Sequence, residues 1–328
     1  MTNVMITGGC GFIGSHFIEH FLRTTDWNII SLDRLDTSGN PNRLASMDCW
    51  PQERKRVRVL YWDLKSPLNT QMQAHIGKVD KIFHLAAGTH VDRSITDPMS
   101  FVMDNVVGTT NLLDYAKAVQ PEMFYYFSTD EVFGPAPDGV AYKEWDRYNS
   151  GNPYSASKAG AEEMCLAYRN TYKLPIRITH CMNVFGERQH PEKFVPMCIN
   201  KILKGELIQV HSNKEKTKAG SRYYIHARNV ASAVGFLNDS QTDEIKFNIV
   251  GEREVSNLEM AQTIAKILDK PLHYEMVDFH SSRPGHDLRY ALDGELMKSL
   301  GWNLPMSFEE SLSRMTHWTL AHPEWLKG

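Results

Sequence analysis

Glycines spaced GxxGxxG where a short apolar run meets an amphipathic stretch constrain this chain more than any other feature. The segment Thr7-Gly8-Gly9-Cys10-Gly11-Phe12-Ile13-Gly14 closes the run Val4–Thr7 and opens Phe12–Leu22. Gly8 permits a tight turn, Gly11 lets the backbone approach a pyrophosphate, and Gly14 lets the helix pack closely on the strand. The start of a helix there directs N–H groups and a partial positive charge at an anion. The spacing is GxxGxxG rather than GxGxxG, and ordinary turns use glycine too, so the trio needs context. Asn28–Leu32, Val57–Tyr61, Lys81–Leu85 and Phe124–Ser128 read as buried strands, with Met103–Val119 as a helix among them. A long helix, Pro153–Lys173, precedes another strand, Ile176–Cys181. This alternation predicts a Rossmann-type, doubly wound parallel α/β sheet. From about Glu187 the pattern changes to prolines, a basic loop Lys214–Ser221 and short mixed elements. The predicted division is a dinucleotide-binding domain over 1–186 and a smaller α/β substrate lobe over 187–328. Later segments return to the first domain, with Arg177–Asn183 and Tyr223–Ala227 expected to rejoin its sheet.

Composition narrows the function. A length of 328 residues suits one large or two joined domains, and a net charge of −3 shows none of the basic excess that nucleic-acid binders carry. The five cysteines, Cys10, Cys49, Cys165, Cys181 and Cys198, form no CxxC pair. Neither a zinc site nor a disulfide framework is indicated, and a reducing, cytoplasmic setting is expected. No leader pattern and no long apolar run are visible, so no membrane partner is expected.

The residues that carry chemistry follow the strand ends. Asp33 ends the second strand about twenty residues after the glycine turn, placed to accept from an adenosine ribose. Its carboxylate would oppose a 2′-phosphate, which favours NAD over NADP; Arg34 beside it pulls the other way. Asp63-Leu64 closes the third strand, where an adenine edge lies in such folds, although Asp63 serves equally as a strand-end cap. Tyr154 and Lys158 share a helix face, and a lysine ammonium near a phenol favours the phenolate. Such a tyrosine can take a proton from a hydroxyl while a hydride leaves. Ser128-Thr129-Asp130-Glu131 sits at the carboxyl end of a strand, where open α/β sheets bind ligands. Thr129 can hydrogen-bond the same hydroxyl. Two adjacent carboxyls are more than a simple oxidoreductase needs, and an acid and a base with separated pKa values are what an elimination requires. One of them alone would pass as a cap for the following turn.

With TGGCGFIGS (7–15), HLAAGTHVDRSI (84–95), STDEVFG (128–134), YSASK (154–158), PEKFVP (191–196) and RPGHDLRY (283–290), the chain resembles an extended short-chain dehydrogenase/reductase. Within that group it resembles the nucleotide-hexose 4,6-dehydratases, whose best-known members act on dTDP-glucose. The resemblance covers nearly the whole chain. It implies NAD as cofactor, held by Gly8, Gly11, Phe12, Ile13, Gly14, Asp33, Asp63, Leu64, Ala86, Tyr154 and Lys158. It implies Tyr154 as the base for C4 oxidation, tuned by Lys158 and assisted by Thr129. Glu131 then removes the C5 proton, and Asp130 protonates the departing C6 hydroxyl. Substrate contacts are implied at Thr89, Asn183, Lys193, Arg222, Asn248, Arg283 and His286. Relatives pair two copies through a four-helix bundle, which Met103–Val119 and Pro153–Lys173 would supply in a homodimer.

Departures from the family bear on the substrate. Gly88-Thr89 stands where dTDP-glucose enzymes usually have Glu-Ser, and Met182 stands where a small polar residue is common. Losing a glutamate side chain would make room at C2, so UDP-N-acetylglucosamine joins dTDP- or UDP-glucose as an expected substrate, with 5-epimerisation an associated outcome. The alternative is a nucleotide-sugar 4-epimerase, which shares the Tyr-Lys pair but needs no acid–base carboxylates. A non-catalytic NAD-binding module would lose Tyr154, Lys158 or the carboxylates.

Overall fold

In the computed structural model, which describes residues 1–36, 38–278 and 288–327, the strand β1 (Asn3–Thr7) is buried along almost its whole length. Strands buried on both faces are what a parallel sheet covered by helices requires. Beside β1 run β2 (Asn28–Asp33), β3 (Val57–Tyr61), β4 (Lys81–His84), β5 (Met123–Thr129) and β6 (Ile176–Cys181). The seven-stranded sheet has the order Lys246–Ile249, β6, β5, β4, β1, β2, β3. Pairing is parallel from β3 across to β5. Thr7 is level with both Leu32 and His84, so the carboxyl ends of β1, β2 and β4 are flush. The order reverses at β1, which is the crevice where such sheets bind ligands.

The strand that completes the sheet differs from the expected Tyr223–Ala227. Ile225–His226 instead pairs with Val184–Phe185 in a separate two-stranded ladder. Lys246 hid the true strand, because a lysine inside a short apolar run reads as surface. Here it is buried, with its ammonium 2.9 Å from the Glu162 carboxylate. The helix expected over Met103–Val119 is also more elaborate. A turn at Pro98–Phe101 leads into a π-helical stretch, Val102–Val107, and only then into an α-helix, Gly108–Val119.

Two compact units result. The first comprises Met1–Val132, Asn152–His180 and Leu237–Phe247; the second comprises Phe133–Gly151, Cys181–Phe236 and Asn248–Gly328. The first unit's core joins Met5, Leu32, Ile82, Leu112, Phe124 and Ile178. In the second unit, helices Phe194–Lys204, Asn257–Ile267 and Phe308–Ala321 close over Phe185, Ile199, Ile264 and Leu312. No helix among the described residues is long and apolar enough to cross a membrane.

Candidate active site

The glycine turn is a cradle that side chains would fill. Gly8 has φ +70°, and a Cβ there would lie 2.9 Å from the Ala86 backbone. A Cβ on Gly11 would lie 2.9 Å from the Gly8 carbonyl, and one on Gly14 would collide with that same oxygen. Helix α1 (Phe12–Thr24) begins at Gly11 with no side-chain cap, so its first N–H groups, those of Phe12 and Ile13 included, suit an anionic ligand. Asp33 accepts from the Cys10 N–H at 3.0 Å and from the Leu35 N–H at 2.8 Å, which aims its carboxylate beside the turn. Burial raises its pKa from the ordinary aspartate value, against the two backbone hydrogen bonds that lower it. Asp63 accepts from the Lys65 N–H at 3.0 Å, the capping geometry, while the Leu64 carbonyl accepts from Asn111 at 2.7 Å. The Ala86 N–H donates to Thr7 Oγ1 at 3.2 Å. A bare glycine backbone, an uncapped helix start and a ribose-level carboxylate fit a dinucleotide.

His84 is structural. It bonds Thr7 at 2.7 Å and Thr109 at 2.9 Å, and burial, with the Lys158 charge, lowers its pKa to about 3. It is a neutral ring that fixes the end of β4.

At the end of β5, Thr129 donates to Asp130 Oδ1 at 3.0 Å. Asp130 is buried, whereas Glu131 is half-buried and accepts from the Asn152 amide at 3.2 Å. Asn152 caps the helix Pro153–Tyr172 through a reciprocal pair with Ser155, at 2.9 and 3.2 Å. This asparagine therefore ties the start of the Tyr154 helix to Glu131. An asparagine before a proline is a helix-start signal that locates it in the sequence. Tyr154 packs with Val91 and Phe101, and its N–H donates to Ser94 at 3.1 Å. One turn on, Lys158 donates to the Phe127 carbonyl at 2.7 Å and lies 4.4 Å from the centre of the Tyr126 ring. Burial lowers its ammonium to about 7.

The π-helical turn supplies residues that sequence reasoning missed. Asn105 accepts from the Gly88 N–H at 2.8 Å and donates to the Gly88 carbonyl at 3.1 Å and to Ser157 at 2.8 Å. Asp104 takes Arg34 as its partner. The room expected at Gly88 is filled: a Cβ there would lie 3.2 Å from the Phe101 ring and 3.3 Å from the Asp104 carboxylate.

The cofactor and catalytic candidates, with Thr89, fall in the first unit, and the other described substrate candidates fall in the second. Thr89 and Asn183 are exposed. Lys193 precedes the helix Phe194–Lys204, and its N–H donates to His190. Arg222 stacks on Tyr290 at 4.6 Å and donates to the Ser221 and Leu288 carbonyls. Asn248 is fully buried and gives its amide to the Tyr142 and Asp293 carbonyls. Arg283 and His286 lie outside the described residues.

A family profile described as GDP-mannose 4,6 dehydratase matches residues 5–315. The chain is 35% identical over 351 residues to a dTDP-glucose 4,6-dehydratase of Escherichia coli, covering 98% of this chain and 94% of that enzyme. Its fold superposes on a crystal structure of the dTDP-glucose 4,6-dehydratase DesIV of Streptomyces venezuelae, solved with NAD bound. The TM-score is 0.88 at 32% identity, with 99% of each chain covered. A UDP-N-acetylglucosamine 4-epimerase of Methanobrevibacter ruminantium also superposes, with a TM-score of 0.85 over 98% of this chain and 99% of that one. At 24% identity this shows the shared fold alone.

Proposed function

The chain belongs to the GDP-mannose 4,6-dehydratase family, and from that premise we propose that it is an NAD-dependent nucleotide-sugar 4,6-dehydratase, a hydro-lyase forming an NDP-4-keto-6-deoxyhexose. The observation that carries this reading is the pair Asp130 and Glu131, adjacent in sequence yet differently held at the end of β5. A 4-epimerase needs only the redox half of the site.

NAD, when bound, supplies reversible hydride acceptance, so oxidation at C4 and reduction at C6 need no second redox partner. The chain's own groups move the protons. The Tyr154 phenolate takes the proton of the C4 hydroxyl, and Thr129 hydrogen-bonds that oxygen. Lys158, next turn on the helix, holds the nicotinamide ribose. A ketone at C4 acidifies the C5–H, and Glu131 removes that proton. Asp130 gives a proton to the C6 hydroxyl, which leaves as water; a proton then returns to C5. In the second unit, Lys193 and Arg222 are the proposed contacts to the substrate diphosphate, since guanidinium and ammonium groups suit a pyrophosphate. Thr89, Asn183, Asn248, Arg283 and His286 complete the proposed set. Of these, Asn248 would act from its strand by holding the Tyr142 and Asp293 carbonyls in place.

For the substrate we take dTDP-glucose. Its support is the activity named for the similar enzymes together with the filled space at Gly88, which removes the reason to expect an N-acetyl group at C2. Incubation with dTDP-glucose, UDP-glucose and UDP-N-acetylglucosamine, followed by absorbance of the 4-keto product in alkali, tests this. Product from dTDP-glucose is expected, and turnover of UDP-N-acetylglucosamine alone would overturn the substrate assignment. Proton NMR of the same product reads the C5 configuration. The five cysteines form no disulfide among the described residues, which supports a cytoplasmic enzyme.

A further inference from the structure

Arg34 directly follows Asp33, at the level where a cofactor's 2′-hydroxyl or 2′-phosphate would lie, and its guanidinium is already engaged. Nη1 and Nη2 meet the two oxygens of Asp104 at 2.6 and 2.9 Å, and Nε meets Asp36 at 2.5 Å. We propose that Asp104 is a cofactor-specificity residue, which withholds Arg34 from a 2′-phosphate and so makes the choice of NAD the work of two carboxylates rather than Asp33 alone. This rests on the reading that the glycine turn holds a dinucleotide.

The fork geometry is what makes the sequestration effective. A bidentate arginine–carboxylate pair fixes the plane of the guanidinium as well as its charge. Asp104 is only 12% exposed and Arg34 31%, so the pair is partly shielded from water. The neighbouring charges are paired as well. Asp36 and Asp104 both hold Arg34, and Lys65 sits 3.3 Å from Asp63 and 3.9 Å from Asp104, while the buried Arg43 donates to the Cys10 and Ser38 carbonyls. A doubly charged phosphate would have to compete with Asp104 and Asp36 for the Arg34 guanidinium.

The π-helical turn carries Asp104, and Gly88 supplies the clearance, since a Cβ there would crowd the Asp104 carboxylate. Gly88 thus belongs with the cofactor side of the site, as part of one device with Asp104 and Arg34.

The test is a competition on the full chain: incubation with equal NAD+ and NADP+, removal of free nucleotide, and chromatographic measurement of what is retained. Asp104→Ala is expected to raise the retained NADP+ to NAD+ ratio about tenfold, the scale of one freed charge-assisted contact. Arg34→Ala alone should leave the ratio unchanged, and Arg34→Ala/Asp104→Ala should return it to the wild-type value. An unchanged ratio in Asp104→Ala would overturn the proposal. So would a several-fold loss of NADP+ retention in Arg34→Ala alone, and that measurement decides the matter if Asp104→Ala fails to fold. Wild-type chain that retains neither nucleotide would overturn the dinucleotide reading itself and this inference with it.

Discussion

Asp130 and Glu131 share a peptide bond but not an environment. Thr129 donates to the buried Asp130, while the amide of Asn152 donates to the more accessible Glu131. Different surroundings are how neighbouring carboxyls take opposite proton-transfer roles. Glu131→Gln is therefore expected to lower turnover about 10²- to 10⁴-fold, the range for a lost general base. A first-turnover rise in reduced-nicotinamide absorbance should survive; ordinary turnover would show that another group is the base. Lys158 has a thermodynamic signature in the cofactor-free chain. Its folded pKa, about 7, lies below the unfolded value near 10.5. Between those values the unfolded state binds more protons, so this residue's contribution to stability rises with pH and is lost as pH falls towards 7. Lys158→Met should thus gain thermal stability relative to wild type near pH 7, and the difference should shrink as pH approaches 10.5. A pH-independent difference in melting temperature would contradict a buried, depressed ammonium.

The π-helical turn Val102–Val107 is the element on which the site depends and which the sequence pattern concealed. Such turns widen the helix by one residue and are often found at functional sites. Asn105 uses this widening to hold both backbone groups of Gly88 and the Ser157 hydroxyl of the Tyr154 helix. Asn105→Ala strands those groups and is expected to cost about 1–3 kcal/mol. Denaturant unfolding measures this, and a change within experimental error would show that the clamp is not stabilising. Helical periodicity is the same to within one residue for α and π turns, so Met103–Val119 reads as one continuous helix and nothing in the pattern singles out Asp104 and Asn105. By contrast the glycine cradle, Asp33, the strand end at Thr129–Glu131 and the Tyr154–Lys158 helix were legible. Each depends on local backbone chemistry: a positive φ, an uncapped helix start, a strand terminus. Lys246–Ile249 was not, because its buried lysine pairs with Glu162, 84 positions earlier in the chain. The separation between substrates was likewise illegible at Gly88, since a glycine opens space only if its neighbours leave it open.

At the scale of the whole molecule, we infer a homodimer built on Met103–Val119 and Pro153–Lys173. Its support is the exposed apolar side chains Met99, Val102 and Met103, together with Tyr172, among the described residues. Light scattering should give twice the chain mass, and Met103→Glu should shift it towards the monomer; a wild-type monomer at micromolar concentration would refute the assembly. In the proposed reaction one chain joins a redox site to an acid–base pair. Sugar oxidation and reduction at C4 alone leave C5 untouched, whereas elimination across C5 and C6 must break the C5–H bond. Turnover of dTDP-glucose in deuterium oxide, with NMR of the product, reads this directly. The expected result is a 4-keto-6-deoxy sugar carrying solvent deuterium at C5, and a C4 epimer with protium retained at C5 would contradict it.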